Sequence, residues 1–306
     1  MTNINKTFTC NFCPRKCNNE RTPDNGNGFC HSPSFFKVAR YSLHQWEEPC
    51  ISGTNGSGTI FFSGCNLGCI YCQNKDIALG QKGKIITQDE LVRIMLYLEK
   101  SGAHNINLVT ASHYIHLLPA AIIKAKESGL TIPIVYNTSS YEDVHSIKQL
   151  DGLIDIYLPD YKYISSETAS KYSFAPDYPD IALKAITEMV RQTKEPTFDC
   201  QTGLLKKGTI IRHLILPLHT SESKELIKSL FNIFGDNVYI SLMSQYTPPK
   251  SSLKYNELNR KLTPREYSKV LDYAIMLGIT NCFFQEGDTA KDSFIPEFYD
   301  DITIPN

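Results

Sequence analysis

Cys65, Cys69 and Cys72 stand on one short stretch at C-x3-C-x2-C spacing. Thiolates so placed can wrap a cubane [4Fe–4S] cluster and ligate three of its four irons. The fourth iron then has no protein ligand nearby. A cluster that only carries electrons usually takes four thiolates, whereas an open iron is a place for substrate or cofactor, like the open position of catalytic zinc. The alternative is a zinc or four-thiolate site completed by Cys50 or Cys30. A second set, Cys10-x2-Cys13-Pro14-x2-Cys17-x12-Cys30, puts four cysteines within 21 residues. It predicts a metal centre of its own, for which zinc and a second [4Fe–4S] cluster are both chemically allowed. Cys50, in Glu47-Glu48-Pro49-Cys50, is a candidate extra ligand. Cys200 and Cys282 are isolated and read as small apolar residues.

The rest of the chain must hold these loops. Its 306 residues are enough for one large domain or two ordinary ones. Apolar residues make up 42% and charged residues 21%, as in a soluble globular protein. The formal net charge of −1 gives no reason to expect a nucleic-acid or anionic-membrane partner. No stretch approaches the roughly 20 apolar residues that span a bilayer. The first ten residues have neither a basic nor an apolar leader pattern. A cytoplasmic location with reduced thiols is therefore expected. Eight of the ten cysteines lie in the first 72 residues, which suits metal sites better than core packing.

Two regions are expected: a cysteine-rich metal-binding segment over 1–50 and a βα-repeat domain over 51–306. Thr59 to Ser63 reads as a buried strand that delivers the three-cysteine loop. Further strands are expected at Ile106–Thr110, Ile132–Tyr136, Leu153–Leu158, Thr209–Leu216, Val238–Leu242 and Asn281–Phe284. Thr87-x2-Glu90 and Thr263-Pro264-x-Glu266 are capping boxes that open helices. Other helices are expected at Ile115–Ser128, Tyr141–Leu150, Ile181–Arg191 and around Leu226–Phe234. About six βα units result, which predicts an α/β fold with a parallel sheet. A doubly wound sheet and a barrel both satisfy that count.

The three-cysteine loop, with the aromatic Tyr71 just before its last cysteine, resembles the radical S-adenosylmethionine (SAM) superfamily signature. Longer stretches narrow the resemblance. These are Cys10-Asn11-Phe12-Cys13-Pro14-Arg15-Lys16-Cys17, Glu47-Glu48-Pro49-Cys50 and Phe62-Ser63-Gly64-Cys65 through Cys72-Gln73-Asn74. Asn137-Thr138-Ser139, Asp155 to Lys162, Ile211-Arg212-His213 to Pro217 and Leu242 to Tyr246 add to them. Together they are similar to the pyruvate formate-lyase-activating-enzyme-like radical SAM proteins of the PflX branch. That resemblance implies a partial (β/α)6 TIM-type barrel with its chemistry at the C-terminal ends of the strands. It implies a [4Fe–4S] cluster on Cys65, Cys69 and Cys72 whose open iron binds SAM. Reductive cleavage of SAM would yield a 5′-deoxyadenosyl radical that abstracts hydrogen from a protein or peptide. A glycyl-radical enzyme is the implied partner, with flavodoxin or ferredoxin as electron donor under anaerobic conditions.

By the same resemblance Tyr71 is expected beside the adenine. Where many relatives carry Gly-Gly-Glu, this chain has Thr110-Ala111-Ser112-His113, so the hydroxyls of Thr110 and Ser112 are expected to meet the SAM ammonium. Lys162 is expected to pair with the methionyl carboxylate. Asp160, with Asn137 and Thr138, is expected to orient that lysine or hold a monovalent cation. Arg212 should face the barrel mouth and bind a carboxylate. His213, next along the strand, should point the other way and be packed. Met243, Gln245 and Tyr246 are expected to line the substrate pocket. His104, His113, His116, His145 and His219 show no ligand spacing.

Overall fold

The alternation that begins near Thr59 is realised as a run of parallel strands. The computed structural model describes residues 7–249, 253–285 and 296–305. The strands are β1 (Phe8–Cys10), β2 (Asn19–Arg21), β3 (Phe36–His44), β4 (Ser57–Phe62), β5 (Lys84–Ile86), β6 (Ile106–Val109), β7 (Ile134–Thr138), β8 (Ile156–Pro159), β9 (Thr197–Phe198), β10 (Leu205–Leu214), β11 (Tyr239–Met243) and β12 (Cys282–Phe284). The main sheet runs β5-β3-β4-β6-β7-β8-β10-β11-β12, with β9 added against β10. From β4 to β12 all neighbours are parallel. Their spatial order is their chain order, without the reversal that defines a doubly wound sheet. Right-handed crossovers in one continuing direction put the connecting helices on one face.

The long strand β3 was not legible in the sequence. It pairs antiparallel with β4 from His44↔Ser57 to Val38↔Phe62. The main sheet therefore reaches back into the region expected to be separate. Only β1 and β2 form a small hairpin of their own, which carries Cys10 at its turn.

Helix starts follow local chemistry. The helix Gln88–Lys100 opens with Thr87 Oγ1 accepting from the Glu90 amide at 3.2 Å, while the Glu90 carboxylate accepts from the Thr87 amide at 2.7 Å. Its Leu91, Ile94, Met95 and Leu98 are buried on one stripe. Thr263 and Glu266 repeat the arrangement at Pro264–Met276. The helix Ser166–Ser173 was not expected, because its Ser, Thr and Lys content hides its period. Pleating sorts the strand residues. Ile134 and Tyr136 pack toward the helices, while Val135 joins Ile156, Leu158 and Ile210 on the opposite face.

Cys50 belongs to that opposite-face cluster, with Ile51 beside it. Burial pushes its thiol up to about 12. This candidate extra ligand packs among aliphatic side chains.

His213 faces away from Arg212, as the strand period requires. Its ring nitrogens meet Tyr161 O and Ser223 Oγ, each at 2.9 Å. Burial lowers His213 to about 4 and His113 to about 3. Both stay neutral when folded at pH 7, whereas an unfolded histidine titrates near 6.5. The stability that this neutral burial confers is fully present above about pH 6.5 and is lost as pH falls toward 4, at about 1.4 kcal/mol per unit for each histidine. Denaturation midpoints should therefore drop steeply between pH 6.5 and 4.5. A flat profile there would contradict the burial. Among the described residues no helix is long and apolar enough to cross a membrane.

Candidate functional site

The three-cysteine loop leaves the C-terminal end of β4 and lines one wall of a cavity of about 260 Å³. Cys65, Cys69 and Cys72 share that cavity with Thr110 after β6, Asn137 and Thr138 on β7, Asp160 and Lys162 after β8, and Arg212 on β10. The parallel strands bring their C-terminal ends to one rim, so these distant residues converge. An adjoining cavity of about 230 Å³ is lined by Cys69, Cys72, Tyr71, Met243, Gln245 and Tyr246 among others.

The sulfurs are met by donors. The Leu67 amide reaches Cys65 Sγ at 3.5 Å, and the Gly68 and Asn74 amides favour the thiolates of Cys65 and Cys72. Ser173 Oγ donates to Cys69 Sγ at 3.1 Å. Burial raises the Cys65 thiol and pushes Cys72 up to about 12. Buried thiols under N–H groups are therefore neutral until a metal takes them as thiolates. This donor set suits an iron–sulfur cluster, whose charge such hydrogen bonds stabilise.

Behind the sulfurs lies a charged network. Arg212 donates through Nε to Asp160 at 2.9 Å, through Nη1 to Glu47 at 3.1 Å and through Nη2 to Asn137 at 2.6 Å. Lys162 Nζ is 2.6 Å from the other Asp160 oxygen. Asn107 Nδ2 donates to Glu47 at 3.0 Å. Burial would raise the Asp160 carboxyl, but the Arg212 and Lys162 charges outweigh it and hold it below the usual carboxylate range. Burial wins at Glu47 and Glu48, which are both raised despite Arg212 nearby. Glu48 is 8% exposed, and its Oε2 has no hydrogen-bond partner among the described residues.

Several expected site residues take other places. Arg212 lines the cavity, but each of its three nitrogens already serves a protein partner. Ser112 is 2% exposed and does not line the cavity; its hydroxyl donates to Glu142 at 2.6 Å. Tyr136 and Thr138 donate to the same carboxylate, at 3.1 and 2.5 Å. Burial raises Glu142 even so. Thr110 lines the cavity in a left-handed conformation, φ +58°. Tyr71 is 6% exposed and its hydroxyl meets Tyr163 OH at 2.6 Å, which leaves the ring at the wall of the adjoining cavity. Sequence reasoning missed Glu47, Asn107 and Glu142. The Glu47-Glu48 pair was visible, but nothing local said that it enters the interior.

The N-terminal cysteines also cluster. Cys10, Cys13, Cys17 and Cys30 lie close enough that their charges act on one another. Among the described residues no group of three or more His, Cys, Asp or Glu converges to hold a single metal ion. A cubane spreads its thiolates over separate irons, so such convergence is not required of a cluster site.

The family model described as the radical SAM superfamily matches residues 59–208. That stretch runs from β4 through the three-cysteine loop into β10. This chain carries a radical SAM domain. The chain is 29% identical over 273 residues to protein MJ0674 of Methanocaldococcus jannaschii, covering 87% of this chain and 74% of that one. It is 27% identical over 194 residues to the pyruvate formate-lyase-activating enzyme of Clostridium pasteurianum, covering 60% of this chain and 71% of the enzyme. The radical SAM domain shares its fold with SuiB of Streptococcus suis, solved bound to its precursor peptide SuiA. The TM-score is 0.50 at 14% identity, over 74% of this chain and 47% of SuiB, so this chain spans about half of SuiB's length.

Proposed function

We propose that this protein reductively cleaves SAM and abstracts hydrogen from a protein or peptide, in the manner of a glycyl-radical-enzyme activase. The carrying observation is that Cys65, Cys69 and Cys72 line the same cavity as the Asp160–Lys162 pair. The bound cluster and SAM supply the 5′-deoxyadenosyl radical. The chain's own residues bind and orient. Lys162, fixed by Asp160, offers its ammonium to the methionyl carboxylate. Thr110, Asn137 and Thr138 flank it, and Tyr71 borders the adenine side. Arg212 acts through Asp160 and Asn137 as their support. The likeness to the Clostridium pasteurianum enzyme supports an activase-type target, and SuiB shows that this fold accepts a peptide. Flavodoxin or ferredoxin is the proposed electron donor, in the cytoplasm of an anaerobic setting.

The six βα units in chain order support a partial barrel over 51–306, with the segment 1–50 held to it through β3. Cys10, Cys13, Cys17 and Cys30 are proposed to bind a second cluster or zinc. Arg21 supports this. It is 3% exposed, and among the described residues its side chain meets only the His113 carbonyl at 2.5 Å and Cys30 Sγ at 3.3 Å. A buried guanidinium without an anion is costly. A metal-bound Cys30 thiolate beside Arg21 would supply that anion.

The test is anaerobic reconstitution, reduction, addition of SAM, and measurement of 5′-deoxyadenosine with iron and zinc content. Deoxyadenosine with about four irons supports one cluster, and about eight irons adds a second at the N-terminal set. A reduced cluster that neither binds nor cleaves SAM would leave an electron carrier or sensor instead. Cleavage with a free peptide or small metabolite, and none with a glycyl-radical enzyme, would redirect the substrate.

A further inference from the structure

The cysteine-rich segment holds the three-cysteine loop from outside chiefly through Arg15. Arg15, two residues after Cys13, donates through Nε to the Asn66 carbonyl and through Nη2 to the Leu67 carbonyl, both at 2.8 Å. It also donates to Ser173 O at 3.1 Å and to Phe174 O at 2.6 Å. Its guanidinium lies 4.0 Å from the centre of the Phe29 ring, and Phe29 immediately precedes Cys30. Gly68 sits at φ +80°, and a Cβ there would come within 2.8 Å of that ring.

Peptide planarity gives these contacts a consequence. In a trans peptide the carbonyl of one residue and the amide N–H of the next point in opposite directions. The carbonyls of Asn66 and Leu67 are the partners of the Leu67 and Gly68 amides. The Leu67 amide bonds Cys65 Sγ at 3.5 Å, and the Gly68 amide lies near enough to favour the Cys65 thiolate. A grip on the carbonyls therefore aims both N–H groups at the sulfur. The same guanidinium holds the Ser173 carbonyl, and Ser173 Oγ donates to Cys69 Sγ. One side chain thus orients donors to two of the three cysteines.

The geometry points to Arg15 as a positioning residue by which the cysteine-rich segment sets the hydrogen bonds on Cys65 and Cys69, and hence the reduction potential of the cluster they carry. This rests on the reading that Cys65, Cys69 and Cys72 carry a cluster. Hydrogen bonds to sulfur stabilise the reduced, more negative state, so their loss moves the potential down.

The test compares the full-length reconstituted protein with Arg15→Lys and Arg15→Gln, using potentiometric titration followed by electron paramagnetic resonance. Subtracting the Cys69→Ala spectrum isolates the three-cysteine cluster. Lysine keeps the charge but loses the planar fork that spans two carbonyls. Both variants should show a more negative midpoint potential and an altered spectrum. A wild-type potential in Arg15→Lys with a shift only in Arg15→Gln makes the effect one of charge alone and overturns the inference. So does a lowered denaturation midpoint with potential and spectrum unchanged in both. Iron content that Cys69→Ala leaves unchanged overturns the cluster reading, and this inference with it. The potential is read without SAM, so failure to cleave SAM is a separate result.

Discussion

A Cys69→Ala variant should form no 5′-deoxyadenosine above background, with the metal content proposed for the N-terminal cysteines unchanged. Two thiolates cannot hold a cubane that three ligate, and no other cysteine is placed to replace the third. Cys50 is packed among aliphatic side chains on the inner face of the sheet. Cys10 and Cys30 face the electrostatic surroundings of Arg21 and the other N-terminal cysteines. The iron lost should be about four atoms per chain, and metal at the N-terminal set should match the wild type. Deoxyadenosine formation at the wild-type rate would show that the loop is not the SAM site. Loss of metal from both sets would show that the N-terminal centre does not fold independently of the loop.

An Arg212→Met variant should lose stability on the order of 3–5 kcal/mol, because it strands buried carboxylates. Asp160 and Glu47 would each lose a charged partner at 2.9 and 3.1 Å. All three side chains are only 10–16% exposed, so water cannot replace the guanidinium cheaply. Pairing the change with Glu47→Gln should recover part of the loss, since one stranded charge is removed. The double-mutant cycle in urea measures that coupling. A cost within about 0.5 kcal/mol, as at an ordinary surface site, would show the network to be hydrated and weak. Lys162→Met should behave differently. Asp160 keeps Arg212, so the stability loss should be smaller, while SAM affinity falls because a bound carboxylate is left unpaired. Equal SAM affinity in wild type and Lys162→Met would remove Lys162 from the site.

The two arginines 15 and 212 illustrate one division of labour. Each replaces flexible backbone or mobile charge with a fixed planar fork. Arg212 ties β8, β7 and the turn after β3 under the cavity floor. Arg15 ties the cysteine-rich segment to the loop on its rim. Neither needs to touch a reacting atom to matter, since a cofactor's chemistry depends on how the protein orients it.

What the sequence determined by itself is what local geometry controls. The spacing of Cys65, Cys69 and Cys72 puts three sulfurs on one loop at a strand end. The Thr87 and Thr263 capping boxes open helices because both partners lie within one turn. The strand period of two sends Arg212 into the cavity and His213 out of it. Asp160 and Lys162 come to the rim together because they are two residues apart past one strand end. What only the tertiary structure decided are pairings across long stretches of chain, where many partners of equal chemistry compete. Glu47 meets Arg212 across 165 residues, and Arg15 meets Ser173 across 158. Ser112 turns to Glu142 and away from the cavity because the buried carboxylate takes hydroxyl donors from Ser112, Tyr136 and Thr138. β3 pairs with both β4 and β5, and no local pattern records that it lies between them. Local periodicity is written in the order of residues, whereas a buried charge finds its partner only once the strands have brought their ends together.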